Sequence, residues 1–249
     1  SDTAILFATL FHLEAKSVDF FPLFNSMRVA SISTFITFFA GIFAAYYIAK
    51  TPRAVKGALD CILTLPLVLP PTVVGFFLLK TFGPLSPAGG FLLDVCGIKM
   101  TMTWYSAILA SAIVAFPLMY RTVRGAFEAF DKNLIYSAQT LGLSDFFIFW
   151  RVIMPNCKQG ILAGTVLAFA RALGEYGATS MITGYIPGRT ATISTTVYQL
   201  CREGNDALAY KWVLVNLAIS FVVLITVNLL ESKYREPKGT AQDVLTDNF

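Results

Sequence analysis

Residues 29–49 read VASISTFITFFAGIFAAYYIA, bounded by Arg28 and Lys50 with no charge between them. At 1.5 Å per residue, a helix of this length crosses about 30 Å of hydrocarbon. Four further apolar runs are long enough to do the same: 57–79, 103–120, 160–186 and 212–230. All are continuous, which predicts helices; barrel strands alternate apolar and polar positions over about 10 residues. Composition agrees, with 56% hydrophobic and 14% charged residues in 249, against roughly 45–50% and 25% in soluble domains. The expected fold class is all-α: a polytopic membrane helix bundle of about five transmembrane helices in a single domain.

The apolar run Thr3 to Leu13 is half a membrane thick and lies beside His12, Glu14 and Lys16. It reads as an interfacial helix, or a partial sixth span. A cleaved signal peptide fits poorly, since no basic segment precedes the run and no small-residue cleavage site follows it. Orientation follows from Lys and Arg. One side receives Lys50, Arg53, Lys56, Arg121, Arg124, Lys132, Arg151, Lys158, Lys233, Arg235 and Lys238; the other receives Lys16, Arg28, Lys80, Lys99, Arg189, Arg202 and Lys211. The positive-inside bias puts the first group in the cytoplasm, giving a multi-pass plasma (cytoplasmic) membrane protein with its N-terminus outside and its C-terminus inside. Basic loops beside anionic lipid account for the net charge of +4, so no nucleic acid is implied.

Two runs depart from plain membrane helix. Within 57–79 lies LPLVLPPT, in which Pro66, Pro70 and Pro71 remove three backbone donors, and a continuous helix is not expected. Broken backbone at membrane depth is tolerated where it is buried in protein or lines a watery cavity, so these prolines mark a pathway wall or gate, against the plainer reading of a packing kink. Within 160–186, Arg171 and Glu175 stand four apart, which on a helix places both on one face. Ionisable groups inside a span mark a substrate route; a self-neutralising structural pair is the alternative. Asp60 reads as a snorkelling carboxylate near a span end.

Residues 122–158 form the longest cytoplasmic segment, mixed in charge. It predicts short helices separated at Asp131–Asn133 and at Gly142, with Ser144 capping an amphipathic run from Asp145 to Met154 that Pro155 ends. Phe146, Phe147, Phe149 and Trp150 are costly to leave in water, which suggests a docking surface for another protein or a helix lying on the membrane. Cys61, Cys96, Cys157 and Cys201 form no CxxC pair; metal binding is not expected, while Cys96 and Cys201 fall in external loops where a bridge or two plain thiols are both open. There is one histidine and no GxxxxGK[ST], GxSxG or HExxH, so no catalytic residues are assigned and a partner must supply any energy.

This cytoplasmic segment resembles the permease subunits of ABC importers, whose signature is EAA, three residues, G, nine residues, I, one residue, LP. The matching positions are Tyr136-Ser137-Ala138, Gly142 and Val152-Ile153-Met154-Pro155. The third alanine, the glycine and the proline are kept, and the glutamate is replaced by tyrosine. LPLVLPPTVVG (65–75), AFPLMY (115–120) and GTVLAFARALGEYGAT (164–179) are similar to the molybdate permease (ModB) type, and related tungstate and sulfate or thiosulfate permeases share much of this pattern.

The resemblance implies a type I importer permease working by alternating access: a homodimer of this chain on a cytoplasmic ABC ATPase that binds ATP and Mg, with an extracytoplasmic oxyanion-binding protein delivering substrate. No cofactor is expected on this chain. The coupling role falls on Ala138, Thr140, Leu141, Gly142, Leu143, Ser144 and Pro155. Thr179, Ser180 and Thr183 are candidate oxyanion contacts, and Arg171 would neutralise Glu175. A non-transporting membrane scaffold and a stand-alone channel are the readings from other classes.

Overall fold

Away from water, every backbone N–H and C=O must find its partner within the segment, which makes apolar runs helical. The computed structural model describes residues 19–234, and all regular elements among them are helices. In chain order they are α1 (Phe21–Ala49), α2 (Arg53–Val68), α3 (Pro71–Phe82), α4 (Pro87–Cys96), α5 (Trp104–Ala129), α6 (Lys132–Thr140), α7 (Asp145–Ile148), a π-helical turn (Phe149–Ile153), α8 (Met154–Asn156), α9 (Lys158–Leu173), α10 (Gly177–Thr183), α11 (Ile193–Arg202) and α12 (Asp206–Tyr234). Three helices are long and apolar enough to cross a membrane: α1, α5 and the Asp206–Thr226 part of α12. Counting α2 with α3, and Asp145–Asn156 with α9, as bent spans raises the number to five. The Thr3–Leu13 run lies outside the described residues.

The departures from expectation have local causes. The second run is two helices, because a residue before proline is pushed out of the α region; Leu69 (φ −69°, ψ 141°) and Pro70 (φ −53°, ψ 134°) are both extended, and Pro71 opens α3. Pro66 stays inside α2. The third run continues as helix to Ala129, so the first turns of the expected cytoplasmic loop are helical. The fourth run stops at Leu173 and resumes at Gly177. The external loop expected around Cys96 holds α4, which Ser86 caps by accepting the Gly89 N–H and which Gly97 closes in the left-handed region (φ 67°). All four cysteines are free thiols, which removes the Cys96–Cys201 bridge.

The chain divides into two compact units. Among the described residues one comprises 19–32, 70–111 and 173–213. Its core includes Ile182 and Ile193, and buried Asn25 and Ser26 bond the backbone of 190–193. The other comprises 33–69, 112–172 and 214–234. Its core includes Tyr120, Met119, Val123 and Ile148, and Gly41 lets α1 approach Met119 so closely that a Cβ there would fall 2.7 Å from Met119 Cγ.

Candidate functional site

In the first unit, the proline break and the GEYGAT segment come together. A Cβ on Gly75 of α3 would lie 2.7 Å from Ala178 Cα and 2.8 Å from Met181 Cβ, and one on Gly177 of α10 would lie 2.9 Å from Pro71 Cβ and 3.0 Å from Thr72 N. Each helix therefore uses a glycine where the other's backbone presses in. Pro70, Pro71, Glu175, Thr179, Ser180 and Thr183 all belong to this unit, whereas Pro66 and Arg171 belong to the other.

Arg171 and Glu175 do not share a helical face, because α9 has ended before Glu175 is reached. Glu175 is 3% exposed and its Oε1 accepts the Ala178 N–H (2.8 Å), capping α10. A carboxylate that satisfies an orphan donor at a helix start, flanked by Gly174 and Gly177, stabilises a break over a continued helix. Ser180 Oγ donates to Gly177 O (3.1 Å) and Thr183 Oγ1 to Thr179 O (2.7 Å). Thr179 is 1% exposed and, among the described residues, its hydroxyl has no hydrogen-bond partner.

In the second unit, Asp131 caps α6 by accepting the Asn133 N–H (2.9 Å). The helix closes at Gly142 (φ 74°), with Leu143 N donating to Ala138 O (3.2 Å) and Gly142 N to Gln139 O (2.9 Å). This paired closure is a Schellman motif and explains the glycine, since only the left-handed region makes both bonds. Ser144 then caps α7 by accepting the Phe147 N–H. The turn leaves Leu141 78% exposed, with Leu134, Tyr136, Phe146 and Trp150 also exposed, while Ala138 is buried. Thr140 and Ser144 are exposed and Leu143 half-buried. Ala138 thus packs inward and Leu141 carries the outward apolar surface.

Pro155 does not end the run; helix continues to Asn156 and bends by 74° into α9. Lacking an N–H and clashing with the carbonyl four residues back, Pro155 follows a widened turn, Phe149–Ile153, in which Met154 N reaches back to Phe149 O. The turn buries Phe149 among Tyr46 and Phe43 of α1 and Phe127 of α5. Sequence reading assigned Phe149 to an outward aromatic group because a regular helix was assumed there.

Asp60 is not a snorkelling surface group. It accepts from the Tyr120 hydroxyl and pairs with Arg124, while Lys56 pairs with Glu128, so α2 and α5 are tied by an ionic network. Tyr120, Arg124 and Glu128 recur four apart on one helix face, but only the fold supplies Asp60 and Lys56.

Comparison with known proteins agrees with this architecture. The model of a family described as binding-protein-dependent transport system inner membrane component matches residues 37–236. The molybdenum transport system permease protein ModB of Escherichia coli K12 is 38% identical over 86% of this chain and 94% of its own length. The putative molybdenum transport system permease protein YvgM of Bacillus subtilis 168 is 38% identical over 82% of this chain and 90% of its own. Among solved structures, a bacterial ABC transporter that imports the acidic polysaccharide alginate shares the fold, with a TM-score of 0.71 at 20% identity over 92% of this chain and 83% of that one. The inward-facing MetNI methionine ABC transporter gives a TM-score of 0.60 at 14% identity over 84% and 94%. With four-fifths of its length matched, the chain belongs to the binding-protein-dependent transport system inner membrane component family, and is an integral membrane permease of the ABC importer type.

Proposed function

We propose that this permease carries molybdate inward across the cytoplasmic membrane, as two copies of the chain driven by a separate ATPase and supplied by an extracytoplasmic oxyanion-binding protein. The substrate rests on the permeases named for molybdenum transport that share 38% of their residues with it over most of both chains. The structural observation that carries the coupling role is Leu141, held 78% exposed beside the Gly142 turn, an apolar group that desolvates on docking. ATP and Mg bind the partner, the N-terminus lies outside and the C-terminus in the cytoplasm. Closure of the ATPase shifts the permease between inward- and outward-open states, which requires only that ATP favour one of them. Thr179, whose buried hydroxyl lacks a partner among the described residues, supplies a neutral donor along the α3–α10 wall, suited to an oxyanion that must also be released.

The test is uptake of labelled molybdate into vesicles holding the permease with its ATPase and binding protein. ATP-dependent uptake competed by unlabelled molybdate better than by sulfate supports the assignment. Stronger competition by sulfate or tungstate reassigns the oxyanion, and uptake without ATP removes the importer mechanism.

A further inference from the structure

The first turns of α1 are fastened on one side and open on the other. Asn25 is buried, its amide donating to Ala191 O (2.9 Å) and Thr190 O (3.3 Å), and Ser26 Oγ accepts the Ile193 N–H (2.8 Å). Arg28 is exposed. Its guanidinium lies over the Trp104 ring, 4.0 Å from the centroid, and its Nη2 donates to Asn25 Oδ1 (3.0 Å). Ring and amide hold the group in one place, and among the described residues no carboxylate pairs with it. A guanidinium has five N–H donors in a planar fork, so most remain for an incoming anion.

The surroundings select the kind of anion. Phe20, Phe24, Met102 and Trp104 are all exposed apolar groups of this same unit. A soluble oxyanion would be met by further polar donors, whereas a guanidinium seated on an exposed Trp ring, one helical turn after the exposed Phe24, fits the border between acyl chains and head groups, where Trp concentrates. The length of α1 agrees. Its exposed Phe35, Phe39, Phe43 and Tyr47 continue beyond Arg28, and Lys50, itself 4.1 Å from the Tyr46 ring centroid, follows about 33 Å further along the helix, close to the hydrocarbon thickness of about 30 Å.

We propose that Arg28, seated on Trp104 and held by Asn25, binds the phosphate of a phospholipid head group at the membrane face where α1 begins. The site rests on α1 being a membrane helix and is independent of which solute the permease carries. The experiment measures phosphatidylglycerol retained by the full chain, purified in mild detergent, using native mass spectrometry. Arg28→Ala is expected to lower retention about fivefold, Arg28→Lys to lower it less, and Trp104→Leu to lower it with the charge still present. In the unaltered background, a photoreactive residue in place of Phe24 is expected to capture lipid. Unchanged retention in both Arg28→Ala and Trp104→Leu overturns the site. So does capture of a second copy of this chain at position 24, or displacement of the lipid by millimolar inorganic phosphate. Should Arg28→Ala fail to fold, Trp104→Leu and the capture experiment decide.

Discussion

The ring of Phe149 lies 4.5 Å from that of Tyr46, centroid to centroid, with the planes at 61°. One residue sits in the π-helical turn Phe149–Ile153 and the other near the end of α1, so this contact links the segment after α6 to a helix long and apolar enough to cross a membrane. Phe43 and Phe127 complete the pocket at 6.4 Å each, and Phe149 is 5% exposed. Phe149→Ala is expected to lower stability by about 3–5 kcal/mol through the cavity it leaves. The neighbouring Trp150 is 42% exposed, and Trp150→Ala is expected to cost far less. Thermal unfolding of the purified variants checks the order; equal losses would remove the distinction between the two aromatics.

The glycines of the α3–α10 seam give a second contrast. A methyl on Gly75 or Gly177 meets backbone within 3.0 Å, whereas one on Gly57 or Gly125 meets nothing within 4 Å. Gly75→Ala and Gly177→Ala are therefore expected to destabilise by about 1–3 kcal/mol through overpacking. Gly57→Ala and Gly125→Ala, inside α2 and α5, are expected to stabilise by about 0.5–1 kcal/mol, the helical cost of glycine. Melting temperatures that move together in all four would show that close approach does not set the seam.

Helices that depend on apolar length were legible in the sequence: α1 and α12 contain the runs from which they were expected, and α5 contains all of its run but Thr103. So were features written in short-range chemistry, such as the Ser144 cap and the Gly142 turn, whereas the break expected over Asp131–Asn133 ends at the capping residue Asp131, with Asn133 already helical. The fourth run misled because an i, i+4 spacing of Arg171 and Glu175 presupposes the helix it is used to interpret. The carboxylate of Glu175 accepts the Ala178 N–H beyond that helix end, a capping role that spacing alone does not reveal. Asp60 misled for a different reason, since its partners Tyr120 and Arg124 lie about 60 residues away and only tertiary packing brings them in. The π-helical turn was hidden because Pro155 had been read as a stop, when a proline can also be accommodated by widening the turn before it.

The Asp60–Arg124 pair is partly buried, with side chains 23% and 19% exposed. Removing one charge leaves the other in a poorly hydrated place, so Asp60→Asn and Arg124→Gln are each expected to cost about 1.5–3 kcal/mol, in the range of hydrogen bonds to charged groups. The double variant is expected to cost less than the sum, because neither charge is then stranded. A double-mutant cycle read by thermal unfolding gives the coupling, and strict additivity would show that the two side chains act independently.

Leu141 offers the sharpest separation of docking from folding. It is the most exposed large apolar side chain of residues 122–158 at 78%, next to a glycine whose φ of 74° fixes the direction of the turn. Leu141→Asp removes no buried contact, so stability is expected to stay within about 0.5 kcal/mol, as for surface substitutions. Recovery of the co-purified ATPase is expected to fall by an order of magnitude or more, because a charge must then be desolvated at the centre of an apolar interface. Gly142→Ala acts on the same surface through the backbone, forcing a Cβ into the left-handed region at about 1–2 kcal/mol, and is expected to weaken both stability and recovery. The two variants separate the possibilities: if Leu141→Asp retains the ATPase while Gly142→Ala loses it, the turn serves the fold of the segment and the partner contacts some other face.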